Sequence, residues 1–186
     1  MLTLWDLLEP RRKKRAARKA PAVAPPVPAR PVVVEPAPPR QTPMRDKYEE
    51  VTRRMLRVYG VRVRKWRTSM SGVAWQITYA DGSVSRLIEA PRPRGPMSAA
   101  VFLHEIGHHA IGFNVYKPRC LEEYHAWKFS LETMEREGLN VTDAVRARMR
   151  ESLDYAVEKA HRRGLKRIPA ELAAYLASTP PSRRAG

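Results

Sequence analysis

The stretch LHEIGHHAIG, residues 103–112, sets His104 and His108 four positions apart, with Glu105 directly after the first histidine. On an α-helix such a pair lies one turn apart on the same face. Two imidazoles so placed can coordinate one Zn2+ through their ring nitrogens. A carboxylate beside the first ligand can reach a water in the open coordination position and act as general base. These residue types at this spacing point to metal-assisted hydrolysis. The competing reading is a helix whose partly buried histidines are satisfied by hydrogen bonds. The apolar flanks Val101, Phe102, Leu103, Ala110 and Ile111 make burial the expectation. Burying two unpartnered imidazoles on one face costs free energy, which a metal removes.

A catalytic zinc takes three protein ligands. The longer pattern, with a glycine and a third histidine further along, is absent, since Ile111 and Asn114 hold those positions. The third ligand must therefore come from another element. CLEEYHAWKFSLETM, residues 120–134, offers Glu122, Glu123 and His125. Helical geometry puts Glu123, Ala126 and Ser130 on one stripe, and Glu122, Ala126 and Phe129 on its neighbour. The small Ala126 lets this helix approach the motif helix closely. Either glutamate can then face the metal, with His125 as a substitute. The competing reading has the glutamates answering the positive end of the helix dipole.

Together, LHEIGHHAIG and the following EEYHAWKFSLETM resemble the motifs of the compact ImmA/IrrE-type zinc metallopeptidases and their phage-borne zincin-like relatives. The resemblance spans roughly residues 44–140. Many members carry an acid directly before the alanine of the second helix; here His125 stands there, and the nearest acids are Glu123 and Glu122. The resemblance implies a zincin-like domain with Zn2+ held by His104, His108 and a second-helix glutamate, Glu123 by preference. Glu105 would be the base in hydrolysis of a cytoplasmic protein substrate. The peptide would lie against the sheet edge near residues 84–88, adding a strand by main-chain hydrogen bonds. His109, Tyr116, Tyr124 and His125 are the candidates for stabilising the oxyanion. Two other classes compete. Spartan/SprT-like proteases join the same motif to a basic, DNA-binding chain, and His125 would suit as their third ligand. Alternatively, the metal site belongs to a non-catalytic phage structural or adaptor protein.

The elements that must position these residues are legible in outline. Tyr48, Val51, Met55 and Val58 recur at helical spacing after Pro43, and Gly60 closes that segment. The period then falls to two. Val73, Trp75, Ile77 and Tyr79 alternate with Ala74, Gln76 and Thr78, and Asp81-Gly82 is a hairpin turn signal. Residues 84–88 form the returning strand, and Val61 and Val63 begin a strand before the hairpin, with Ser71-Gly72 as the turn between. Ser98 is the expected N-cap of a motif helix over residues 99–111. A second helix is expected over residues 119–137, closed by Gly138. A third, capped by Thr142 or Asp143, carries Val145, Met149, Leu153, Ala156 and Ala160. A short fourth begins at Pro169. The class is α+β: an N-terminal helix, a small three-stranded antiparallel sheet, the motif helix and further helices, all within residues 44–179.

Residues 1–43 are expected to form a disordered, Pro-rich tail, and residues 180–186 a flexible end. The chain of 186 residues holds 35 Lys+Arg against 19 Asp+Glu, a net charge of +16. The tail carries 9 of the basic and 3 of the acidic residues, hence +6 of that total, so basicity is not confined to it. Such charge attracts nucleic acid or acidic partners, above all through residues 11–19, RRKKRAARK. The competing readings are a solvated, solubilising segment and compositional drift toward Arg, Ala and Pro. Cys120 is the only cysteine, which rules out an internal disulfide and a thiolate zinc cluster. No apolar run reaches the ~18 residues of a membrane span. The apolar-then-basic N-terminus reverses the order of a secretory signal. The expected location is the cytoplasm of a bacterial or phage-infected cell, with association with a virion as the alternative.

Overall fold

The computed structural model describes residues 43–178, so the expected tail and C-terminal end lie outside the described residues, the single residue Pro43 excepted. Five helices and three strands follow in the order α1 (Pro43–Val58), β1 (Val61–Arg67), β2 (Val73–Thr78), β3 (Val84–Pro91), α2 (Pro96–Ile111), α3 (Arg119–Arg136), α4 (Asp143–Arg162) and α5 (Ala170–Ser178). The class is α+β. Tyr48, Val51 and Met55 bury one stripe of α1, while Val58, at its last turn, is 63% exposed. The helix ends there, before that residue reaches the core.

The sheet is mixed, not antiparallel, with strand order β1-β3-β2. β2 and β3 form the hairpin expected from Asp81-Gly82. The Tyr79 N–H donates to Ser83 O at 2.9 Å, the Ser83 N–H donates to Asp81 Oδ1 at 2.9 Å, and Gly82 takes φ 81°. β1, however, pairs parallel with β3, from Val61 beside Arg86 to Arg67 beside Pro91. Residues 68–72 are therefore no tight turn between paired strands. They carry the chain past the end of β3 to its far side. Ion pairs from Arg64 and Arg67 to Glu89 brace that end. β3 is thus the central strand and cannot accept a further one. Among the described residues the free edges belong to β1 and β2, which corrects the expectation of a docking edge at residues 84–88. The alternate row that includes Val73 and Ile77 of β2, with Tyr79 just beyond it, also faces outward: these three are exposed, Trp75 is half-buried, and Ala74 packs against the core.

One sheet face is closed by α2, which is buried almost along its whole length. Ile88 and Ala90 of β3 meet it with no exposed surface, and Trp66 of β1 lies against Phe102 at 6.1 Å between ring centroids. The start of α2 differs from expectation. Gly95 is the N-cap and Ser98 sits inside the first turn. The Ser98 hydroxyl reaches back to accept from the N–H groups of Arg94 at 3.0 Å and Gly95 at 3.2 Å. Thr142 caps α4, its side chain accepting from the Val145 N–H. The buried stripe of α4 runs Val145, Met149, Leu153 and Val157. Ala156 and Ala160 are only half-buried at its margin.

α3 packs across α2 where two small residues meet. A Cβ built on Gly107 would lie 2.7 Å from the Ala126 carbonyl oxygen and 3.1 Å from its Cα. Backbone therefore rests on backbone, and the Ser130 hydroxyl adds a bond to Ala100 O at 2.8 Å between the helices. Gly107→Ala should force them apart and destabilise the domain by about 1–3 kcal/mol. Gly95→Ala, where nothing lies within 4 Å, should cost less, at most about 1 kcal/mol for the poorer N-cap residue. Denaturant midpoints at unchanged m-value would show the difference, and equal midpoints would contradict the close contact.

Candidate metal centre

Helix α2 delivers His104 and His108 one turn apart, and α3 brings Glu123 against them. His104 Nε2 and His108 Nε2 lie 3.3 Å apart. Glu123 Oε2 is 3.3 Å from the first and 3.6 Å from the second. Ligands at about 2.0–2.2 Å from a tetrahedral ion stand about 3.3–3.6 Å from one another. The three atoms are thus spaced as three vertices around one divalent cation. The donor set, two imidazoles and a carboxylate, suits such an ion, and the group is one that could hold a metal. Of the three candidates for the third position, Glu123 is the residue brought to the two histidines.

Glu122 has a different place. It is 2% exposed, its Oε2 accepts from the Asn114 N–H at 3.0 Å, and its Oε1 faces His108 Nδ1 at 3.3 Å. It therefore backs His108 from the side away from the shared point. Once His108 is neutral, a carboxylate beside Nδ1 favours the proton there and leaves Nε2 for a metal. His125, the remaining alternative ligand, stacks on Tyr116 at 3.8 Å between centroids and does not join the group. The His104 ring stacks on Trp127 at 4.5 Å and 28°; the Nδ1 atoms of both histidines are buried without a hydrogen bond, and only that of His108 has a carboxylate facing it.

Electrostatics follow from this burial. Burial pushes His104 below the ordinary imidazole range, which the Glu123 contact only partly offsets. Burial works in the same direction on His108, but Glu122 and Glu123 outweigh it and raise its pKa to about 9. Burial would raise both glutamates; their contacts to the histidines prevail and hold both below the usual carboxylate range. Glu105 lacks such a partner. Burial raises it to about 7, with the His108 charge pulling the other way.

Glu105 lies on the same helix, with its carboxylate against Gly72, just before β2. A Cβ on Gly72 would collide with the Glu105 carboxylate and fall 2.5 Å from its Cγ. Any side chain there would have to displace Glu105, so the crossover after β1 seats the glutamate. Beside this centre opens a cleft of about 910 Å³. His104, Glu105 and Glu123 stand on one wall, and the Arg148 side of α4 forms the other.

The residues expected to stabilise an oxyanion are elsewhere. His109 donates to Leu87 O at 3.1 Å, toward the sheet. Tyr116 and Tyr124 pack on His125, and Tyr124 also on Tyr175. None of the four lines the cleft. The cations that do line it, Arg119, Arg148, Lys159 and Arg163, went unread in the sequence, because each sits in a segment whose neighbours in space are set by tertiary packing. No protein-family model matches this chain, and no curated protein or solved structure matches it.

A histidine must be neutral to ligate, and the metal-free site holds His108 protonated up to about pH 9. The sign is fixed by the raised pKa. The stability it contributes is complete below the ordinary 6.5 and is lost as pH climbs to about 9. Metal-free protein should therefore melt at a lower temperature at the alkaline end of that window. Uptake of a divalent ion near pH 7.5 should release about one proton from His108. Calorimetric titration in two buffers of different ionisation heat would read that proton. Identical heats in both would contradict the assignment.

Proposed function

We propose that this chain is a zinc-dependent endopeptidase of zincin-like fold, with His104, His108 and Glu123 as ligands and Glu105 as general base. The observation that carries the proposal is the convergence of three donor atoms at one point, beside a buried carboxylate that opens on a cleft. Zinc, when bound there, supplies Lewis acidity and lowers the pKa of a water towards about 7.

The chain's own residues do the rest. Glu105 accepts a proton from the attacking water and returns it to the leaving amine, splitting one peptide bond with one water. A base with a pKa near the working pH suits both halves of that task, and burial has raised Glu105 to about 7. Glu122 keeps His108 in the ligating tautomer. The free edge nearest the centre is β2, since the segment leading into it touches Glu105. An extended substrate adds to β2 through main-chain hydrogen bonds. Arg148 presents positive charge from the facing wall, where negative charge develops on the carbonyl oxygen.

Cleavage of denatured casein, with and without chelator, tests the proposal. Activity should vanish with chelator and return with zinc. Glu105→Gln should keep the metal and lose at least about a hundredfold in rate. Gly72→Ala should also lose activity while keeping the metal, because its methyl group displaces Glu105. Full activity in Glu105→Gln would overturn the base assignment.

A further inference from the structure

α4 has two stripes of different character. Val145, Met149, Leu153 and Val157 face the core. The second stripe, Arg148, Ser152, Tyr155, Ala156 and Lys159, lines the cleft, and Arg163 continues it just past the helix end. The cations of the cleft are not equivalent. Arg119 pairs with Glu123 at 3.5 Å, and Arg148 lies 4.0 Å from Glu151. Lys159 and Arg163, among the described residues, have no carboxylate within 4 Å, and the Lys159 ammonium stands 5.9 Å over the Tyr155 ring. The metal end of the cleft therefore holds its charges in pairs, while the far end holds two cations open to an incoming anion. Small and half-buried residues lie between, with Ser152, Ala156 and Ala160 forming a floor that an extended chain can follow.

We propose that this far end is a subsite for acidic side chains, and that the substrate is a peptide carrying an Asp/Glu cluster some distance along the chain from the cleaved bond. The inference deepens the peptidase reading and rests on it. Lys159 and Arg163 lie about 16–22 Å along the helix from Arg148, at 1.5 Å per residue. An extended peptide spans that distance in about five to seven residues. A nucleic acid fits this cleft less well. Glu105, Glu123 and Glu151 line it too, and a strand with a phosphate at every nucleotide would meet them. A peptide places its negative charge only where the cations are.

The test uses the zinc-loaded full chain carrying Glu105→Gln, so that binding is read without turnover. Three fluorescein-labelled dodecapeptides differ only in a central pair of residues, which is Glu-Glu, Gln-Gln or Lys-Lys. At low salt the Glu peptide should bind about tenfold tighter than the Gln peptide, the scale of two exposed ion pairs. The Lys peptide should bind weakest. Lys159→Glu combined with Arg163→Glu should reverse the order, and Lys159→Gln combined with Arg163→Gln should abolish it. Circular dichroism and zinc content would check that each variant folds, and the three-peptide comparison stands without any variant. Equal binding of the Glu and Gln peptides would overturn the proposal. So would displacement of the Glu peptide by a single-stranded DNA oligonucleotide at equal concentration, which would mark a general polyanion surface. Wild-type protein separates the two levels. A Glu-peptide preference without cleavage would sink the peptidase reading and leave the subsite standing. Equal cleavage of the Glu and Gln peptides would do the reverse.

Discussion

The site depends on how closely two helices approach. Gly107 and Ala126 meet backbone to backbone, and that contact sets the distance from the axis of α2 to the axis of α3. His104 and His108 project from the first helix and Glu123 from the second. With any larger residue at the crossing, the carboxylate would stand too far from the imidazoles to share a point with them. A helix crossing of this kind is built from close-packed atoms and yields little under strain. It therefore serves as the rigid mount that a preorganised ligand set needs.

Burial gives the same residues their chemical character. Isolated charges in a dry interior are costly, so such groups pair, coordinate metal or become neutral. All three outcomes are represented here. Glu122 and Glu123 are held as anions by the histidines, His104 is pushed toward neutrality, and Glu105, without a partner, keeps its proton to about pH 7. Two carboxylates one residue apart in sequence thus take different tasks. Glu123 faces the shared point, and Glu122 faces the back of an imidazole. The helix angle of about 100° between successive residues separates them.

The parts legible in the sequence are those fixed by short range. His104, Glu105 and His108 stand out because a single helical turn relates them. Asp81-Gly82 marks its hairpin because that turn demands a positive φ. The choice of Glu123 over Glu122 and His125 is different. It depends on the rotation of α3 against α2, which the residues of α3 alone leave open between adjacent stripes. β1 was expected to pair antiparallel because strands close in sequence usually form hairpins. Here five residues pass the end of β3 instead, and Gly72 in that link seats the Glu105 carboxylate. His109, Tyr116, Tyr124 and His125 lie near the motif in sequence but do not line its cleft. The cations that share its cleft come from the start of α3 and from α4, the latter about forty residues away in sequence. α4 shows a mixed small and cationic stripe beside its apolar one, a signal that periodicity can display but cannot aim.

The most direct measurement is the metal content and coordination of purified, never-chelated protein, by elemental analysis and X-ray absorption. One zinc per chain is predicted, with two imidazole nitrogens and carboxylate or water oxygens at about 2.0–2.2 Å. Glu123→Ala should lose an oxygen ligand and Glu122→Ala should not. A folded protein that contains no zinc and gains none on titration, or one that binds it equally well without Glu123, would contradict the shared coordination point on which everything above is built.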